Sequence, residues 1–322
     1  MAAVKDYLNL TFRHFNARTL MRAAQGWDEH IRAGGRMFLT MGGAMSTAEI
    51  GVMLADLIRE GYVHALCVTG ANLEEDLFNL VARKHYEEIS DFRDLTPEDE
   101  KELFERGMNR VTDTCIPEAA AMQKVEQKVV VLWQEALQRG ERLAPHEYLY
   151  RLLRQGELEA DYQIDARHSW LLAACEKDLP IFVPGWEDST LGNILVADYK
   201  LGKVESLSVV KSGLEQMSAL VDWYLASDRE ARLGFFQIGG GITGDFAVCT
   251  VPLILQDMKQ ACRMWGYFCQ ISEANTSYGS YSGAPPNEKI TWGKLDANTP
   301  RFIIESDATI VFPLIAAYLL DR

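Results

Sequence analysis

Short apolar runs at residues 36–41, 65–69, 180–183, 205–209, 234–238, 265–271 and 301–305 alternate with segments of helical spacing, and this alternation constrains the fold more than any other feature. A run such as Ala65-Leu-Cys-Val68 is apolar at every position, so both of its faces must be covered. The helical segments lie at 17–33, 46–60, 73–82, 166–177, 189–198, 211–225, 243–260 and 308–320. Most stand between two strands, as crossovers between parallel strands require. The pattern predicts the α/β class: a Rossmann-like, doubly wound, mostly parallel sheet with helices on both faces. Residues 84–165 break the rhythm, with charge-rich helical patterns near 98–107, 117–138 and 146–155. No Gly, Pro or Ser linker isolates them, so they read as a helical insertion in a single domain spanning 1–322. Residues 1–16 read as an irregular N-terminal arm.

Hydrophobic residues make up 48% of the 322 and charged residues 24%, which excludes a disordered, collagen-like or coiled-coil chain. The formal net charge is −14, from 32 Lys and Arg against 46 Asp and Glu. Such a chain repels nucleic acid and anionic membranes and suits cationic ligands. The six cysteines, at 67, 115, 175, 249, 262 and 269, form no C-x-x-C pair, and no His stands at a metal-ligand spacing from them. They read as free thiols in a reducing, cytoplasmic setting, and no metal site is expected. The N-terminus lacks a signal-peptide pattern, and no apolar stretch is long enough to predict a transmembrane helix.

Two segments carry candidate chemistry. Residues 234–246 run from an apolar strand into Gly239-Gly240-Gly241, with a helix starting near Thr243, and Gly239, Gly241 and Gly244 fit G-x-G-x-x-G. Backbone without Cβ atoms approaches a ligand closely, and helix N–H groups face an anion. A tight turn without any ligand has the same pattern, so both readings stand at this point. The junctions at Thr40–Ala44 and Thr69–Asn72 end other strands with small residues, and their strand ends would share one crevice. The second segment, 275–296, is long for a loop inside a compact α/β chain, yet holds Tyr278, Tyr281 and Trp292, which favours an ordered functional loop. Within it, Lys294 follows Trp292 and Gly293. A lysine in an apolar slot becomes a nucleophile able to form an imine. A surface lysine beside a structural tryptophan fits the same residues. Glu288 is near enough in sequence to bind a cationic substrate.

The chain resembles deoxyhypusine synthase. The resemblance rests on Ser282-Gly-Ala-x-Pro-x-Glu288-x-x-x-Trp292-Gly293-Lys294, with support from Asp188-Ser-Thr-Leu-Gly192, Gly239-Gly240-Gly241, Glu74-Glu75-Asp76 and Ser306-Asp307-Ala308-Thr309, in family order over about 36–320. It implies NAD-dependent oxidation of spermidine, capture of the butylamine moiety as a lysine imine, transfer to an acceptor amine, and reduction of the product imine. The acceptor is a protein lysine of translation initiation factor 5A in deoxyhypusine synthase, and putrescine in homospermidine synthases. The family forms homotetramers (dimers of dimers) with sites shared across dimer interfaces. Carried onto this chain, the resemblance makes Lys294 the imine-forming nucleophile, packs Trp292 on the polyamine and lets Glu288 hold an ammonium. It assigns NAD contacts to Thr69, Gly70, Ala71, Glu75, Asp188, Gly239, Gly240, Gly241, Ala274, Ser282, Asp307 and Ala308.

Three positions of the polyamine site depart from the family pattern: Asn193 and Tyr281 each replace an Asp, and Asp245 replaces a His. On the cofactor side Tyr278 replaces an Asp and Glu273 a Thr. The expectation is therefore a deoxyhypusine synthase-like, NAD-dependent transferase that moves an aminobutyl-type group from a spermidine-like polyamine through a lysine imine to an acceptor amine, a small molecule or a protein lysine, with the exchanged positions bearing on which amines are used. Homospermidine synthase-type chemistry on putrescine, and a non-catalytic NAD- or polyamine-binding homologue, are the alternatives.

Overall fold

Nine strands are present in the computed structural model, which describes residues 4–276 and 279–322: β1 (Arg36–Met41), β2 (Ala65–Val68), β3 (Glu87–Glu88), β4 (Met108–Val111), β5 (Thr114–Pro117), β6 (Ile181–Phe182), β7 (Leu233–Ile238), β8 (Tyr267–Ile271) and β9 (Arg301–Ile304). Six of them form one wholly parallel sheet in the order β6-β2-β1-β7-β8-β9. Numbered by their place in the chain, these strands run 3-2-1-4-5-6, the strand order of the Rossmann fold.

Alternate residues of each central strand feed two different apolar clusters. Met37, Leu39 and Met41 of β1, Leu66 and Val68 of β2, and Phe236 and Ile238 of β7 join one. Phe38, Ala65, Cys67 and Phe235 join the other. That two-sided burial makes the sheet doubly wound and explains why its strands read as unbroken apolar runs. Helix Gly70–Ala82 is buried at every residue except Ala71, because it lies between the sheet and the 84–165 lobe. The lobe contributes Ile116, Val125, Trp133 and Leu149 to the cluster that contains Leu66.

The structure corrects several local expectations. Residues 4–11 are helical rather than irregular, docked by backbone and ion-pair contacts from Lys5 to Arg322 and Asp321. The segment 205–209, expected as a strand, holds a 3₁₀ turn, Leu207–Val209, instead. Its Val209 carbonyl instead accepts from Leu143 N and the Tyr148 hydroxyl of the lobe. The 84–165 lobe is not purely helical, since β3, β5 and β4 form a small antiparallel sheet. The helix expected over 243–260 ends at Val248, and a short turn and a wider one follow around Pro252, which has no N–H to donate.

Candidate active site

In an open parallel sheet the crevice forms where the strand order reverses, outside the carboxyl ends of the strands. Here that point lies between β1 and β7, and their following turns touch. A Cβ on Gly42 would stand 2.6 Å from the Gly240 carbonyl oxygen, so glycine is what lets the two backbones abut. Gly239 and Gly241 take φ of +75° and +72°, and the side of Gly241 where a Cβ would project is open. On the β2 side, Thr69 caps helix Gly70–Ala82 and donates its hydroxyl to the Gly43 carbonyl at 2.7 Å. Ala274 follows β8, and Asp307 and Ala308 follow β9, where Asp307 caps helix Ala308–Leu319. Asp307 also lines a cleft of about 750 Å³ with Ala44, Thr47, Arg83 and Glu273.

Three consecutive carboxylates enter the protein on helix Gly70–Ala82, and burial raises all three. Glu74, at about 6, accepts from Thr190 N and Leu191 N at 2.7 and 2.8 Å, which holds the N-terminus of helix Thr190–Lys200. Asp76, also at about 6, accepts from the Ser169 hydroxyl and Leu171 N. Glu75 is 7% exposed, its carboxyl is pushed up to about 7, and its Oε2 has no hydrogen-bond partner among the described residues. Two of the three hold helix N-termini; the third keeps one oxygen without a partner among the described residues.

On the β7 side, two buried glutamines sit at equivalent places in neighbouring strands, Gln237 opposite Gln270. Gln237 donates to the Gly239 carbonyl at 2.9 Å and accepts from the Tyr281 hydroxyl at 2.8 Å. Gln270 donates to the Ser282 carbonyl at 2.6 Å. The Ser282 hydroxyl accepts from Gly241 N at 3.0 Å. These bonds fasten the loop carrying Tyr281 to Lys294 onto the glycine turn. The loop is ordered by a 3₁₀ turn, Tyr281–Gly283, and a short helix, Glu288–Thr291. The Tyr278 position lies outside the described residues.

Lys294 is 6% exposed. Its Nζ donates to Asp245 Oδ1 at 3.2 Å and lies 5.6 and 5.7 Å from the ring centres of Tyr281 and Trp292. Asp245 belongs to helix Ile242–Val248, which starts at the glycine turn, and it also accepts from the Cys249 thiol at 3.3 Å. A cavity of about 450 Å³ joins Lys294 to Asp245, Cys249, Tyr281, Glu288 and Trp292. Glu288 is exposed and Trp292 is 60% exposed, so both stand at its mouth. Lys289 also lines it and did not figure in the sequence reading. Burial, chiefly, with the Lys294 charge second, pulls the Lys289 amine down to about 8.

The structure thus brings together Lys294, Asp245, Tyr281, Glu288 and Trp292, and ties them to Gly239, Gly240, Gly241 and Ser282. Asn193 and Asp188 stand apart from that cavity. Both are exposed in the turn before and into helix Thr190–Lys200, where Asn193 donates to the Glu187 and Ser189 carbonyls. That turn packs on Gly70, whose Cβ would fall 2.4 Å from that of Ser189. Among the described residues, no group of three or more His, Cys, Asp and Glu stands together as metal ligands, and no helix is long and apolar enough to cross a membrane.

Similarity to known proteins extends along nearly the whole chain. The family model described as deoxyhypusine synthase matches residues 5–319. The "Deoxyhypusine synthase-like protein" of a Nostoc species is 28% identical over 330 residues, covering 99% of this chain and 82% of the relative. The "Probable deoxyhypusine synthase 1" of Archaeoglobus fulgidus is 26% identical over 310 residues, covering 96% and 90%. A solved structure, the "putative deoxyhypusine synthase from Entamoeba histolytica", has a TM-score of 0.61 at 11% identity over 98% of this chain and 92% of the other, a likeness of fold. With a switch-point crevice, a triple-glycine turn and a tryptophan–glycine–lysine loop bolted to it, the chain belongs to the deoxyhypusine synthase family.

Proposed function

We propose that the protein is an NAD-dependent transferase that moves an aminobutyl-type group from a spermidine-like polyamine to an acceptor amine through an imine on Lys294. The observation that carries this reading is the lysine itself: a nearly buried amine on the wall of an open-mouthed cavity, joined through Asp245 to the helix that begins at the glycine turn.

The crevice residues fit a dinucleotide. The open side of Gly241 admits a close ligand, the helix beginning at Ile242 presents its N-terminus to phosphate, and Glu75 Oε2 is a buried acceptor without a donor, suited to a ribose hydroxyl. Thr69, Gly70, Ala71, Asp188, Gly239, Gly240, Ala274, Ser282, Asp307 and Ala308 complete the proposed NAD set. When bound, the nicotinamide supplies a two-electron acceptor and donor for an amine carbon. The chain's own residues do the rest. Asp245 Oδ1, the hydrogen-bond acceptor of Lys294 Nζ, takes a proton from that amine as it attacks. Tyr281 and Trp292 flank the aliphatic chain and offer ring faces to an ammonium, and Glu288 at the mouth holds the far ammonium.

A homotetramer with sites shared across the dimer interface would explain why Asn193 and Asp188 stand outside the Lys294 cavity of a single chain. With only two carboxylates lining that cavity, Asp245 and Glu288, a small acceptor such as putrescine suits it as well as a protein lysine.

The test is product identification. NAD-loaded protein is given spermidine with either putrescine or the factor protein as acceptor. The reading predicts an aminobutylated acceptor and one equivalent of 1,3-diaminopropane, the remainder of spermidine. Tight NAD binding with neither product, on any polyamine, would make the protein a binding module instead.

A further inference from the structure

The lysine that the family motif does not include is the least explained charge in the molecule. Lys289 is 3% exposed and lines the same cavity as Lys294. Its Nζ lies 5.0 and 4.9 Å from the ring centres of Phe268 and Tyr281, and its one recorded hydrogen bond is a long one, 3.4 Å to the Ala284 carbonyl. Among the described residues no carboxylate stands within ion-pair distance of it, whereas Lys294 has Asp245. Ring faces offset part of the cost of a buried ammonium, but a counter-ion offsets more. The charged groups lining the cavity are two amines, Lys289 and Lys294, and two carboxylates, Asp245 and Glu288, and one carboxylate is already committed to Lys294. Glu288 remains for a substrate ammonium, but none of this chain's charged lining groups pairs with Lys289. What the cavity lacks is one anionic group at Lys289.

We infer that Lys289 binds the carboxylate of the acceptor, so that the acceptor is a small amino acid, with amine and carboxylate in one molecule, rather than a plain diamine or a protein lysine. This rests on the transferase reading above for the word acceptor, and on the cavity alone for the carboxylate. An amine at about 8 is mostly protonated at neutral pH, as carboxylate recognition needs. Lys289 here is a specificity-determining residue; the reacting amine remains Lys294.

A matched pair of probes tests it: ornithine and putrescine, which differ only by a carboxylate. With spermidine as donor, wild type should use ornithine at least tenfold better than putrescine in kcat/KM. Lys289→Met should bring the ratio to within about twofold, and Lys289→Arg should keep most of it. Calorimetric binding of both probes to the NAD-loaded Lys294→Ala protein separates this claim from the chemistry. If no acceptor is turned over yet ornithine binds at least tenfold tighter and Lys289→Met abolishes the difference, the carboxylate site stands while the transferase reading falls. Equal binding of the two probes, a preference for putrescine, or an ornithine preference that survives Lys289→Met overturns the inference.

Discussion

The two sides of the crevice bury opposite charges by the same rule. On the β2 side three carboxylates go under on one helix; on the β7 side two amines go under on one loop. On the carboxylate side two of the three charges, and on the amine side one of the two, are satisfied by the protein itself. Glu74 and Asp76 are held by backbone N–H groups, and Lys294 by Asp245. On each side one is left over: Glu75, with an unpartnered oxygen, and Lys289, with two ring faces and no carboxylate. Burial alone does not separate structural from functional charge, because all five are buried. The separation comes from whether the protein supplies the partner.

That contrast breaks most visibly at Lys294. Lys294→Ala should lower turnover by about a thousandfold or more while leaving NAD affinity within about twofold, read by steady-state kinetics and cofactor titration. Next is the seam between the two sides. A Cβ on Gly240 would lie 1.7 Å from Ser282 Oγ. Gly240→Ala must therefore displace the loop from the turn, and should cost about a hundredfold in turnover and weaken NAD as well.

The carboxylate side then divides by sign. Glu74→Ala leaves two helix N–H groups without an acceptor and should destabilise the fold by about 2–4 kcal/mol in denaturant melts. Glu75→Gln should do the reverse. The Glu75 carboxyl is raised from 4.5 to about 7, so its stabilising share is present below the unfolded value and is lost as pH rises through 7. Removing the charge should stabilise the NAD-free protein at pH 8 by about 1–3 kcal/mol, with no gain at pH 4, and weaken NAD.

Lys289 gives the smallest signal. Lys289 is lowered from 10.5 to about 8, so the unfolded chain holds the proton more tightly between those values. Stability of wild type should rise from pH 8 toward 10 relative to Lys289→Met, by about 1–2 kcal/mol, checked by melts at matched ionic strength.

The parallel sheet was legible because its strands are apolar on both faces, and that same two-sided burial is what the structure displays. The run at 205–209 shows the limit of the signal. Of its two apolar residues Val209 is buried, against the lobe, while Leu207 is exposed, and so short a pattern does not say which neighbour covers it. Helix Val4–Thr11 escaped because only Leu8 is buried on it, too little for a periodic pattern. The β4–β5 hairpin was hidden in a charged stretch, although Thr112-Asp113, with Thr112 at φ +57°, is the kind of two-residue turn that joins such strands.

In the site, the glycine turn and the Trp292–Lys294 motif were readable as a resemblance. The buttress was not. Gln237 and Gln270 each interrupt an apolar strand near its carboxyl end, and a polar residue at matching places in two buried strands was the available clue. Lys289 was passed over because it neighbours Glu288 and reads as one half of a solvated charge pair. Only the fold separates the two: in the short helix Glu288–Thr291 the acid is exposed and the neighbouring amine is buried.

The account's central claim is that the Lys294 amine is the atom that bonds to substrate. Borohydride quenching of the protein incubated with NAD and a polyamine, followed by peptide mass mapping, asks this directly. The account predicts an alkylamine mass on the peptide containing Lys294, dependent on NAD and missing from Lys294→Ala. A stable adduct on Lys289 or another lysine, with Lys294 unmodified, would contradict it.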